Sequence, residues 1–396
     1  MPESTVSPAA PHRLREAPPR PGGGAEAAPF PARPLRVFAW LSFLAEVIII
    51  GTGGAVRLSG SGLGCSEWPM CTPDSLVPTP EQGYHGIIEF GNRTMTGVVG
   101  LLALAVLLLL LHAVGGRRAV RSTLWFAGSG IVAALIAYGI GTAAGLPGFM
   151  FLNATLLLAV VVAAVFSLRA NGTRRDLTAL AWLTVIGIIA QAFVGGITVV
   201  TGLNPFIVGF HYASSLVLVC ITAAFLVRMR EPAGPRERVV PSWFAALTHV
   251  TGLVLAVTIV VGVLTTGSGP HSGDADIVRR GFDASVMAHV HSWPGYVLAA
   301  LVLLLAVIAG VRRLRPRAWL LALIVAIGVQ VAVGVIQART GLPEVLVGTH
   351  MVLAALSAAA YTVVVLRLKR PTAATAPDAP DAPAAPPAAT PAATAP

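Results

Sequence analysis

The chain has 396 residues, 55% of them hydrophobic and only 11% charged, with a mean hydropathy of +0.79. A soluble domain carries about 25% charged residues, so a water-facing surface is excluded, and the same hydrophobicity excludes disorder in the core. An excess of 27 Lys+Arg over 17 Asp+Glu would suggest nucleic acid in a soluble protein; here it reports membrane topology, and no nucleic acid is implied.

Residues 1–36, rich in Pro, Ala, Gly and Arg, read as a disordered tail. Ten stretches long and apolar enough to cross a bilayer follow, at 37–58, 87–112, 122–143, 150–168, 178–201, 206–227, 243–266, 285–310, 318–339 and 345–366. The first is too long and too late for a cleaved signal peptide. The eighth begins on polar residues, with His289, His291 and Pro294 inside it. Residues 371–396, nearly all Pro, Ala and Thr, read as a second disordered tail. The N-terminal tail, every second connection and the segment after the last span hold 22 of the 27 basic residues. The positive-inside rule makes that side cytoplasmic, with both termini on it, so a multi-pass protein of the cell membrane is expected, in contact with membrane lipid.

Two segments align without gaps at an offset of 139: Gln191, Gly195, Thr201-Gly-Leu203, Val208-Gly209 and His211 recur as Gln330, Gly334, Thr340-Gly-Leu342, Val347-Gly348 and His350. Ser59-Gly-Ser-Gly62 recurs as Thr266-Gly-Ser-Gly269 at an offset of 207. Asn92 to Gln191 is 99 residues and His291 to Gln330 is 39, so the mismatch is an insertion of two spans that leaves the repeat parallel. The expected fold is all-α: two similar four-helix halves, 37–240 and 241–370, with a helical hairpin inserted at about 118–175.

His211 and His350 each lie inside a span, at the external end and at the same point of the repeat, where a ligating group is costly and defaults to function. In the C-terminal half His350 needs a partner across the bundle. Residues two apart do not share a helix face, so either His291, nearer Pro294, or His289 faces it, with His291 favoured. Two such histidines can ligate a heme iron axially, whereas zinc usually takes about four ligands. His85 and His271 are expected to be solvated in external connections, and His112 and His249 to lie at cytoplasmic helix ends. In the N-terminal half the matching helix carries Glu89, Asn92 and Arg93. Glu89 and Arg93 can form an intrahelical pair at the membrane boundary, or Glu89 can lie near a group bound at His211. Asn92 is a poor iron ligand, so this site offers one strong axial ligand. Cys65 and Cys71 can form a disulfide on the oxidising face or, less aptly, half a metal site; Cys220 reads as a packing residue.

Gly53-Gly-Ala-Val-Arg-Leu-Ser-Gly-Ser-Gly-Leu-Gly-Cys65, Trp68-Pro-Met-Cys71, Ile88-Glu-Phe-Gly-Asn-Arg93, Gln191 to His211, Thr266-Gly-Ser-Gly-Pro-His-Ser-Gly-Asp274 and Gln330 to His350 together resemble the heme A synthase family, over about 37–366 apart from the inserted hairpin. The resemblance implies a heme b on His291 and His350, and heme O as substrate near His211. It also implies oxidation of the C8 methyl of heme O to formyl with Glu89 in the chemistry, and paired cysteines at Cys65 and Cys71. Heme O synthase and cytochrome oxidase assembly factors follow as partners, and a homo-oligomer is compatible with it. The sequence departs from the better-known pattern at Asn92, where a second histidine is usual, and in the extra hairpin. A diheme electron carrier is the alternative reading, but it would need two axial ligands at both sites. A transporter fits poorly, because the polar residues cluster at the external end.

Overall fold

The computed structural model describes residues 30–170, 172–271, 273–274 and 282–372. The tails at 1–29 and 373–396 lie outside the described residues. Among those described, nine long helices carry the chain: α1 (Arg33–Leu58), α2 (Gly83–Ala143), α3 (Gly148–Ala170), α4 (Arg175–Val200), α5 (Pro205–Arg228), α6 (Ser242–Ser268), α7 (Ala284–Val311), α8 (Arg317–Arg339) and α9 (Glu344–Leu366). All nine are long and apolar enough to cross a membrane, and the chain is an all-α, multi-pass membrane protein. The helix expected to start after a disordered stretch ending at residue 36 starts earlier, at Arg33, because Pro34 suits a first helical turn. Arg174 also stacks on Phe30 at 5.2 Å.

The ten expected spans and nine helices agree once α2 is seen to hold two. Its 61 residues would reach about 92 Å as one rod at 1.5 Å per residue, but Gly116 interrupts it with φ 64° and ψ −165°. Leu107 and Leu111 before the break share a core cluster with Ala163 and Ala164 of α3. After it, Phe126 stacks on Phe166 of α3, with ring centroids 5.2 Å apart. Both arms therefore lie at one depth, and the chain reverses at Gly116. Residues 117–143 and α3 are the inserted hairpin.

Helix α1, the first arm of α2, α4 and α5 form one bundle around Ala45, Val99, Ala103, Ile188 and Leu218; α6 to α9 form the other around Leu298, Val302, Leu323, Ile327 and Tyr361. The duplication extends to the backbone. At the end of α4 Leu203 N–H donates to Thr198 O (2.8 Å), and at the end of α8 Leu342 N–H donates to Gln337 O (2.8 Å). In both turns Gly and Leu take positive φ, 59° and 56° in the first, 80° and 60° in the second. Where the halves meet, Tyr212 Oη donates to the carbonyl of Met351, its own repeat equivalent, at 3.0 Å, so α5 and α9 flank the repeat axis.

The two ends of the bundle are tied differently. On the arginine-rich face Glu231, in the linker between halves, takes Arg228, Arg236, Arg315 and Arg367 at 3.4, 3.6, 3.1 and 3.8 Å. Beside it β1 (Arg236–Arg238) pairs antiparallel with β2 (Lys369–Pro371), a small sheet that hydropathy did not reveal. On the opposite face Arg57 donates to His271 O (3.0 Å) and Thr266 O (2.5 Å), and Gly62 N–H to Gly273 O (2.7 Å), which joins the two Gly-Ser-Gly loops. His271 and His85 are bonded rather than free in solvent: Nε2 of the first meets Leu342 O at 2.9 Å, and Nδ1 of the second meets Ser61 Oγ at 3.0 Å. A loop that sews two halves together supplies partners that an isolated connection would not.

The backbone conformation at Gly116 is open to glycine alone, and a side chain there costs about 1–3 kcal/mol. Gly116→Ala is expected to lower thermal stability in detergent accordingly, whereas Gly128→Ala, where a Cβ meets nothing within 4 Å, should not.

Candidate functional site

In the C-terminal bundle α7 and α9 present His291 and His350 to one another, with ring centroids 6.3 Å apart and planes at 81°. His289 turns away, exposed, with Nδ1 2.8 Å from Ser285 O on its own helix, so His291 is the residue that faces His350. Proline 294 lies within α7; lacking an N–H, it leaves the Val290 carbonyl without its usual helical donor. Close approach needs bare backbone behind each ring. A Cβ on Gly262 would lie 2.7 Å from His291 Cε1, and one on Gly334 3.0 Å from His350 Cε1. His350 Nδ1 and Gln330 Oε1 are buried without hydrogen-bond partners. His291 Nδ1 also makes no hydrogen bond of good geometry, although its ring lies beside the Thr258 backbone.

The N-terminal bundle repeats this with changes. Gly195 of α4 lies against His211, its Cβ position 3.4 Å from Cε1. The Gln191 amide reaches His211 Nδ1 at 2.5 Å on one side and Ser214 Oγ at 2.5 Å on the other. The arrangement that meets every neighbour puts the amide N–H on a bare Nδ1 and on the His211 carbonyl (3.2 Å), with the amide oxygen accepting from Ser214 Oγ and Ser215 N–H; the reverse, Nδ1–H into the amide oxygen with the amide N–H on Ser214, sets that oxygen against the His211 carbonyl. The imidazole tautomer selects between them. Only the second leaves the Nε2 lone pair free. Asn92 is turned to α1, its Oδ1 accepting from Thr52 Oγ1 at 2.7 Å.

Glu89 and Arg93 form the intrahelical pair, with Arg93 Nη2 donating to Glu89 Oε1 at 2.6 Å. The pair also grips the disulfide loop. Cys65 N–H donates to Glu89 Oε2 at 2.6 Å. Arg93 donates to the carbonyls of Cys65, Glu67 and Met70 at 3.0, 3.0 and 2.9 Å. Cys65 and Cys71 are disulfide-bonded and fully buried. Both Glu89 oxygens are therefore engaged, and its first visible task is to seat this loop. The loop in turn places Trp68 against Gly196, next to the glycine behind His211, and 5.5 Å from the ring of Phe149 in the inserted hairpin.

Sequence reasoning treated Gln191 and Gln330 as repeat markers only; their position four residues before a repeated glycine facing the histidine was the available signal. Thr52, Gly262 and the reach of Arg93 across the loop had no signal in one dimension.

Removing one partner of a buried ion pair costs about 3–5 kcal/mol. Arg93→Met is expected to lose stability of that order in detergent melts, and to speed reduction of the Cys65–Cys71 bond by an added thiol.

Comparison with known proteins follows the same residues. A family described as cytochrome oxidase assembly protein, COX15-CtaA, matches residues 36–139 and 151–270, more than half the chain. The match runs through most of the inserted hairpin and stops before His291 and His350. A heme A synthase of Exiguobacterium sibiricum is 38% identical over 77 residues, 19% of this chain and 25% of that protein. One of Lysinibacillus sphaericus is 25% identical over 189 residues, 47% and 41%. A protoheme IX farnesyltransferase of Thermus thermophilus is 35% identical over 77 residues, 19% and 12%. The aligned parts thus cover less than half of each relative's length. Taken with the duplicated bundles, the buried cysteine pair and the paired histidines, this makes the chain a member of the COX15-CtaA family of cytochrome oxidase assembly proteins.

Proposed function

We propose that the chain is a heme A synthase: it oxidises the C8 methyl group of heme O to a formyl group, with a heme b on His291 and His350 and the substrate at His211. The observation that carries this is the pair of imidazoles in the C-terminal bundle, repeated in part at His211, among relatives named heme A synthase. The residues fit the cofactor. Two rings whose centroids are 6.3 Å apart leave a gap, once the ring radii are deducted, close to two metal–imidazole bonds of about 2.0 Å each. The glycines behind both rings leave room for this close approach. Bound heme b supplies one-electron transfer.

The chain's own groups divide the remaining work. Gln191, bridging His211 Nδ1 and Ser214, fixes the orientation of that ring. Asn92, committed to Thr52, adds no second strong ligand and leaves the opposite face of that site open. This distinguishes it from the closed C-terminal pair and argues against a diheme carrier. Glu89, through Cys65 N–H and Arg93, keeps the disulfide loop seated where Trp68 packs on Gly196, next to the glycine behind His211. A carboxylate so placed can stabilise positive charge developing at the oxidised carbon or accept a proton. The arginine-rich face is assigned to the cytoplasm by the positive-inside rule, which sets the disulfide loop and both sites toward the outer face of the plasma membrane. The farnesyltransferase similarity accords with a place next to the enzyme that makes heme O.

Expression in a host that makes heme O and lacks its own synthase, followed by chromatography of extracted hemes, tests the reading. Heme A should appear. His291→Ala or His350→Ala should remove the heme b signal, and Glu89→Gln should retain it while stopping conversion. Heme b alone from the unaltered protein would leave the electron carrier, and a colourless protein would leave neither.

A further inference from the structure

One buried acid has no part in the chemistry above. Glu46 sits near the midpoint of α1, is 2% exposed, and has no hydrogen-bond partner at Oε1. Its neighbours on the helix show where it lies. Ala45 and Ile49 pack toward Val99, Ala103, Ile188 and Leu218. Val47 and Ile50 pack toward Leu216, Val219, Ala355 and Ala359. Glu46 therefore stands in the seam between α1, α5 and the two bundles. Of the titratable groups on the elements around it, Cys220 bonds Thr362, Tyr212 bonds the Met351 carbonyl, Glu89 pairs with Arg93, and His211 and His350 face the sites described above.

Polar groups lie along α1 on either side of it, Ser42 on its own face and Thr52 about a third of a turn round the helix. One turn toward the arginine-rich face, Ser42 lines a water-sized cavity with Thr184 and Thr222. Both threonines donate to carbonyls of their own helices, Thr184 to Leu180 and Thr222 to Leu218 and Val219, so their oxygens remain acceptors for a water. Toward the other face, six residues or about 9 Å along the helix, Thr52 meets Asn92. One apolar layer, formed by Ile49, Val99, Ile188 and Leu218, separates Glu46 from that pair.

An unpaired carboxylate in such surroundings is costly, and the neutral acid, with one O–H to donate, is the form that can stay. Ionisable groups kept inside spans at this cost mark proton or ion paths. We propose that Glu46 is a proton-exchange site for the N-terminal bundle. Its carboxyl O–H breaks to release a proton to water in the Ser42, Thr184 and Thr222 cavity, and forms again with a proton taken from the Thr52–Asn92 end. The exchange is neutral over one cycle and needs no electron donor. Its use rests on the proposed oxidation, because taking a methyl group and a water to an aldehyde releases four protons with the four electrons, and those protons need a way out of that end of the bundle.

Infrared spectroscopy of the full-length protein in membranes tests the exchange without reference to heme. A protonated-carboxyl C=O band should be present, vanish in Glu46→Gln, and shift on transfer to D2O. Ser42→Ala combined with Thr222→Val should slow that shift at least tenfold. In the heme-O-producing host, Glu46→Gln should lower heme A at least tenfold with heme b content unchanged, and Glu46→Asp, which keeps the acid, should restore most of it. Absence of the band, a band that does not move in D2O, or full heme A output from Glu46→Gln would overturn the proposal. If the unaltered protein forms no heme A, the oxidation reading fails while the band and its exchange still decide the role of Glu46.

Discussion

Hydrocarbon offers no hydrogen bonds, so each polar atom inside a membrane bundle must be met by protein, by a trapped water or by something bound. This constraint organises the molecule. Serines and threonines along the spans return their hydroxyls to carbonyls of their own helices, as Thr96, Thr248 and Thr258 do. Glu89 is answered by Arg93 and by the Cys65 amide. The polar atoms left over include Nδ1 of His291 and His350, Oε1 of Gln330 and Oε1 of Glu46. Others, such as Thr178 Oγ1 and Trp182 Nε1, lie elsewhere, while the two imidazoles and Gln330 cluster in the C-terminal bundle.

Duplication explains why that cluster has a counterpart and why the two differ. The same turn, glycine, glutamine and histidine recur at the ends of α4–α5 and α8–α9, and Tyr212 touches its own equivalent across the axis. A repeat gives two sites of one design; what diverges is the opposite wall. In one half it is α7 with an imidazole, in the other it is α2 with an amide tied to α1 and an ion pair tied to a disulfide loop. Under the proposed oxidation, the paired wall would take the permanent occupant and the unpaired one the reactant.

The inserted hairpin enters the same logic from the side. It adds no polar group to either histidine, but Phe149 meets Trp68, and Trp68 fills the space that the missing side chain of Gly196 leaves. The hairpin therefore buttresses the loop that the Glu89–Arg93 pair seats. The clamp around Glu231 at the opposite face holds the linker, α8's leading loop and the chain end together, so the halves are fastened at both surfaces and free to differ between them.

Span number, the parallel repeat and the identity of His211 and His350 as matched positions were all legible in one dimension, because hydropathy, arginine placement and gapless repetition depend only on order along the chain. The merger of two spans into α2 was legible as spans but not as a helix: the glycine conformation at residue 116 exists only once both arms pack on α3. Between His289 and His291 the sequence could state the choice, since residues two apart face different ways, yet only packing against α9 made it. Glu89 had two sequence readings, and the loop that folds back over α2 engaged both of its oxygens. Glu46, one acid in an apolar run, carried no local pattern at all. Its meaning depends on what four other helices fail to offer it, and a missing partner is a property of three-dimensional packing that no stretch of sequence contains.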